Sequence, residues 1–215
     1  MAERVIVLPK WQAYRSTAAS AAATAVALTC SVLLACGGNS TRPIGPTLPT
    51  PTSTSTPQPG PTAPIVTADS VTPSSGSGAT QTFALQYSHS YGAAELHSVH
   101  VQFRESFAAS ATNSCLVFYE RLAHSLLLAS DGLSDWQSAS LGSAATVQNS
   151  QCAIAVGSSS VTLAGNTLTL NLAMKFKPAF AGGKNIYMYA FAGTASSGWH
   201  DLGDWTVPGP TAPLD

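Results

Sequence analysis

Four cysteines, five histidines and ten carboxylates are the side chains of this 215-residue chain with most chemistry to offer. Their spacing decides what they can do. Cys115 and Cys152 have no Cys-x-x-Cys arrangement and no histidines at zinc-ligand spacing, so a disulfide is expected rather than a redox or zinc centre. Closing a loop of about 38 residues would contribute on the order of 4 kcal/mol. Two buried free thiols are the alternative. His89, His97, His100, His124 and His200 are scattered. His97 and His100, three apart, would point to opposite faces of a strand and could not share a metal, so all five read as surface histidines. Asp131-Gly132-Leu133-Ser134-Asp135 lacks the residue order of a calcium loop and reads as a polar turn. A glycosidase needs two carboxylates facing one bond. Glu95, Glu105 and Glu120 are the candidates for such a pair, with solvated surface charges as the competing reading. No Gly-x-Ser-x-Gly marks a nucleophile elbow. No catalytic residue, metal site or cofactor is therefore expected, and an envelope hydrolase with dispersed carboxylates is the third reading of the function.

The aromatic residues suggest binding. Tyr187, Tyr189 and Phe191 alternate with Ile186, Met188 and Ala190. If the second set faces a core, the first forms a stripe on the outside of a sheet. Trp199, His200, Asp201 and Asp204 follow closely and could supply polar contacts. Aromatic rings offer large contact area at low conformational cost, to a sugar ring or to a protein partner. Tyr187, Tyr189, Phe191 and Trp199 are thus the candidate ligand-binding residues, and packing of the same rings beneath a loop is the competing reading. Lys175, Lys177 and Lys184 read as edge or loop charges that oppose aggregation.

The elements that must carry these residues follow a period of two. Phe83, Leu85 and Tyr87 alternate with polar or small neighbours, as do Val99, Val101 and Phe103. Leu168, Leu170, Leu172, Met174 and Phe176 make the longest such run, after a Gly165-Asn166 turn in which both residues tolerate positive φ. Further strands are expected at 115–119, 125–129, 152–156, 160–163, 186–191 and 205–207, and the segment around Trp136 reads as a loop. No stretch has a convincing amphipathic helical period. Many short strands between Gly, Ser, Asn and Pro clusters predict an all-β, antiparallel sandwich over 65–208, with a short tail at 209–215. A closed barrel is second choice.

Charge narrows the partners. Only 9% of residues are charged, against roughly 25% in an average soluble domain. From Ile65 onward five basic residues face nine acidic ones, a net −4. Nothing here can replace the counterions of a nucleic acid.

The first fifteen residues carry Arg4, Lys10 and Arg15 against Glu3, and the Ala-rich run from Thr17 to Ala35 follows without a charge. A basic region before an apolar one is an export signal, and an uncleaved membrane anchor is its rival. Leu33-Leu34-Ala35-Cys36 resembles the lipobox of bacterial lipoproteins. That resemblance implies cleavage after residue 35, lipidation of Cys36 and attachment to the bacterial cell envelope, at the outer membrane if the cell is Gram-negative, with Gly37 compatible with that sorting. Two or more acyl chains anchor stably where one does not. Residues 36–64 then form a Pro/Thr/Ser-rich linker with prolines at 43, 46, 49, 51, 57, 59, 61 and 64. Such a sequence cannot build a core and is expected to be extended. At about 3.1 Å per residue the stretch from Gly37 to Pro64 would reach at most roughly 87 Å. Docking of its Pro-rich stretches to a partner domain is the other reading.

Asn185 to Phe191, the following loop, Trp199 and Asp204 to Val207 resemble the last hairpin of immunoglobulin and fibronectin-III-type modules. Tyr91-Gly92, Leu96 and Val99 to Phe103 are similar to a turn and strand of bacterial Ig-like domains. The Cys-Trp-Cys spacing of antibody domains is absent. The resemblance implies an Ig-like module of the kind found in exported bacterial proteins. The expected protein is non-enzymatic and lipid-anchored, with a structural or interaction role. Carbohydrate binding through an aromatic face is the alternative, so the partners are a membrane through the lipid and a glycan or a protein.

Overall fold

The computed structural model describes residues 63–107 and 111–210. The expected signal segment 1–35, the lipidation site Cys36, the linker up to residue 62 and residues 211–215 of the tail lie outside the described residues.

Strands take up 59% of the described residues, and only short 3-10 turns interrupt them, which makes the module all-β. In chain order the strands are β1 (Val66–Thr72), β2 (Ser75–Ser77), β3 (Thr80–His89), β4 (Ser98–Arg104), β5 (Cys115–Glu120), β6 (Ser125–Ala129) and β7 (Trp136–Ser140). There follow β8 (Thr146–Gln148), β9 (Cys152–Ala155), β10 (Ser160–Ala164), β11 (Thr167–Phe176), β12 (Gly182–Ala192), β13 (Ala195–Ser196) and β14 (His200–Val207). The first sheet runs β1-β3-β11-β9-β8, with β10 also against β11. The second runs β2-β14-β12-β4-β5-β6-β7, with β13 against β12. The architecture is a β-sandwich compatible with an Ig-like fold.

Alternation builds the core as the sequence predicts. Phe83, Leu85 and Tyr87 on β3, Val99, Val101 and Phe103 on β4, and the five apolar residues from Leu168 to Phe176 on β11 are all buried. Between the sheets Phe83 packs at 5.0 Å from Phe103 and edge-on at 5.1 Å from Trp205, while Phe103 meets Phe176 at 5.1 Å. Four strands from both sheets thus share one aromatic cluster. Tyr87 crosses the core from β3, and its hydroxyl donates to the His100 carbonyl at 2.9 Å. Burial raises the Tyr87 pKa well above its ordinary value, so the phenol stays a donor.

Both edges join the two layers. The chain passes from β1 in the first sheet to β2 in the second, where β2 lies parallel to β14. That parallel pair departs from the purely antiparallel expectation. At the opposite edge the Gln137 side chain of β7 accepts a hydrogen bond at 3.0 Å from the Gln148 amide of β8. Trp136 therefore opens a strand, contrary to the expected loop. The polar Gln-Ser-Ala-Ser after it carries no apolar alternation, because this edge strand has little core to face. Cys115 and Cys152 form the predicted disulfide, joining β5 to β9 and so one sheet to the other. In the β10–β11 hairpin Gly165 alone takes the positive φ, 56°, so Asn166 does not use the freedom expected of it.

Burial corrects three polar assignments. His89 and His100, read as surface residues, are 4% and 6% exposed, and Lys184, read as an edge charge, is 3% exposed. Each has a neighbour distant in sequence, Val66 for His89, Phe118 and Tyr189 for His100 and Glu105 for Lys184, which a period-two pattern cannot see.

Candidate functional site

Ile186, Met188 and Ala190 face the core, so Tyr187, Tyr189 and Phe191 point to the outside of the second sheet. Register decides what they meet. Tyr189 pairs with His100, and His100 with Phe118. Three rings from three strands therefore stand side by side. The His100 ring stacks on Phe118 with centroids 3.6 Å apart and planes 15° apart, and on Tyr189 at 5.0 Å and 30°. Trp136 extends the row beyond Phe118 at 4.5 Å. At the other end Trp199 lies 5.3 Å from Tyr189, and Phe107 lies 5.2 Å from Tyr187 and 6.0 Å from Trp199. The outcome is one aromatic band across β12, β4, β5 and β7, closed at one end by two loop residues.

The band brings together three of the four candidate residues. Tyr187 is only 7% exposed, against Phe107, while Tyr189 and Trp199 are half-buried. Phe191 points to the same side but packs edge-on against His97 at 6.0 Å instead. His100, Phe107, Phe118 and Trp136 belong to the band although the sequence reading singled out none of them. Phe118 and Trp136 sit at strand positions whose neighbours are set only by register.

Ring orientation limits what the band can bind. His100 has a ring against each of its faces, so the middle of the band presents edges to solvent. Ligand-accessible ring area lies toward the ends, where Phe107 is 53% exposed. A polar rim adjoins that end: the Asn185 amide donates to the Asp201 carboxylate at 2.8 Å and to the Tyr187 hydroxyl at 3.1 Å. Beneath it, buried Gln102 donates to the Ser114 hydroxyl at 3.0 Å, which donates to the Ala111 carbonyl at 2.6 Å. Burial lowers the His100 pKa to about 3. Its Nε2 lies 2.9 Å from the Ser98 hydroxyl, so the imidazole is neutral and acts as one more ring of the stack.

Two of the candidate carboxylates, Glu105 and Glu120, are held apart. Glu120 is paired with Ser98 at the start of β4, and Glu105 follows Arg104 at its end. The length of a seven-residue strand, about 20 Å, separates these carboxylates. Asp131 caps a turn by accepting from the Ser150 amide at 3.2 Å. Among the described residues no three His, Cys, Asp or Glu side chains gather closely enough to hold a metal ion. No helix among the described residues is long and apolar enough to cross a membrane. No known protein family, curated protein or solved structure matches the chain.

Proposed function

We propose that this chain is a non-catalytic binding protein of the bacterial envelope, anchored through a lipidated Cys36, which displays an Ig-like module at the end of the linker 36–64. One observation carries the binding role: seven rings, from Phe107 to Trp136, form a continuous band on the outside of the second sheet. A sheet face needing only solubility would carry polar side chains there. The disulfide supports export, because such bonds persist in oxidising compartments. The lipobox-like Leu33-Leu34-Ala35-Cys36 supports the anchor.

The test has two parts. Acyl labelling and membrane recovery should be lost in Cys36→Ser, and equal recovery of both forms would overturn the anchor. Envelope fractions should retain the wild-type chain saturably and release the Trp199→Ala variant. Equal retention would remove the aromatic face as the binding surface. Carbohydrate is the second reading, favoured by the Asn185–Asp201 pair beside Tyr187 and Trp199. Retention on insoluble polysaccharide that disappears with Trp199→Ala would establish it.

A further inference from the structure

The end of the sandwich at Arg104 holds a second feature, next to the Phe107 end of the aromatic band. Residues 104–106 and 112–113, the Pro178–Phe180 turn with Ala181, Gln151 and Lys184 line a cleft of about 420 Å³. That volume falls in the range of small-ligand sites. The Lys184 side chain is 2% exposed. Its Nζ donates to Glu105 Oε1 at 2.9 Å and to the Ala181 carbonyl at 3.1 Å, and lies 4.7 Å from the centre of the Phe180 ring.

The ion pair is asymmetric. The ammonium is buried, whereas the Glu105 side chain that neutralises it is 77% exposed. The hydrogen bond from Lys184 and its charge hold the Glu105 carboxyl below its ordinary pKa. A buried ammonium requires a charged partner, but it does not require this one. Glu105 can swing into solvent at little cost to its own hydration, provided that another anion takes its place against the buried ammonium. The remaining lining is rich in hydroxyl and amide groups, from Ser106, Thr112, Asn113 and Gln151. Such groups match a polyhydroxylated ligand better than an apolar peptide side chain.

We infer that this cleft binds the carboxylate of a sugar acid, with Glu105 as an internal counterion that the ligand displaces from Lys184. Ligand hydroxyls bond the amide and hydroxyl groups of the wall. Because Glu105 competes for the same ammonium, the apparent affinity is reduced by the fraction of time it occupies the site.

The experiment uses the full chain in detergent, with glucuronate as probe, glucose as the neutral control and N-acetylalanine as a carboxylate without sugar hydroxyls. Amide NMR shifts report binding. Glucuronate should perturb Asn113, Gln151 and Lys184, and Glu105→Gln should tighten binding by about tenfold, the effect of removing a competitor bound about nine-tenths of the time. Lys184→Met should abolish binding. Since that variant could lose its fold, Gln151→Ala, read against an otherwise unchanged amide spectrum, provides the second loss-of-binding arm. The proposal is overturned if glucuronate perturbs none of these amides, if glucose perturbs them equally, or if Glu105→Gln binds no tighter than the wild type. N-acetylalanine binding as well as glucuronate would overturn the sugar-acid assignment. None of these readouts involves Trp199 or Cys36, so the result stands apart from the binding role proposed for the aromatic band.

Discussion

The imidazole of His100 and the ring of Phe118 lie almost parallel, 15° apart with 3.6 Å between centroids, in register across β4 and β5. A protonated imidazole in this stack would be an almost unsolvated cation with only the Ser98 hydroxyl at its Nε2. Burial therefore disfavours the charged imidazole, which makes pH a probe of the band.

The folded-state pKa of His100 is about 3, below its ordinary 6.5. Between those values the unfolded chain holds a proton that the folded chain does not. The contribution of neutral His100 is complete above about pH 6.5 and declines as pH falls toward 3. From pH 7 to pH 4.5 the decline amounts to about 2.5 kcal/mol. Urea unfolding at the two pH values should show His100→Phe losing less stability than the wild type by about that amount. Equal losses would place the ring in water.

The Cys115–Cys152 bond links the sheets across 37 positions of sequence. Replacing both cysteines by alanine should lower unfolding free energy by about 4 kcal/mol. Denaturant midpoints of the wild type with and without reductant, compared with the double variant, check this. A reduced wild type as stable as the oxidised one would contradict it.

Asn149 saturates its side chain. Its Nδ2 donates to the Ser114 and Ala129 carbonyls at 3.1 and 3.0 Å, and its Oδ1 accepts from the Gln151 and Cys152 amides, both at 2.9 Å. Asn149→Asp keeps the shape and removes both donors, leaving two carbonyls against a carboxylate. The expected loss is about 2 to 4 kcal/mol, measured by thermal or urea unfolding, because partners left unsatisfied cost more than the bond itself contributes. A change under about 0.5 kcal/mol would mean that the four bonds do not persist in solution.

Gly203 on β14 leaves no room for a side chain, since an added Cβ would overlap the Ser74 carbonyl oxygen. Gly183 on β12 has open space around the same position. Gly203→Ala should destabilise by about 1 to 3 kcal/mol through forced backbone movement, with Gly183→Ala within about 0.5 kcal/mol of the wild type. Melting curves of the pair decide the matter, and similar midpoints would mean that the β1–β2 crossing yields to a methyl group at no cost.

Much of the fold is legible in the alternation of single strands. Phe83 to Tyr87, Val99 to Phe103 and Leu168 to Phe176 announce both their strands and their buried faces, because each faces a core from one side. The band is legible only in part. Tyr187 and Tyr189 stand out in an aromatic-apolar alternation, but Phe118 and Trp136 join their band only through the register of β12, β4, β5, β6 and β7. His100 looks like an outward polar residue until Tyr189 and Phe118 are placed on either side of it. Lys184 likewise becomes interior only when Phe180 and Glu105 fold over it. β8 and β2 were invisible for a simpler reason: three residues are too few to show a period.

The parallel pairing of β2 with β14 has a mechanical consequence. Ser75 to Ser77 run alongside Asp204 to Thr206 in the same direction, and β1 precedes β2 while β14 ends the module. The chain therefore enters near Val66 at one end and leaves near Val207 at the other. Tension applied between these two points slides β2 along β14 and β1 along β3, so the ladder bonds of each pair resist together rather than opening one after another. A module pulled through its termini is thus loaded in shear, the direction in which its strand pairs yield last.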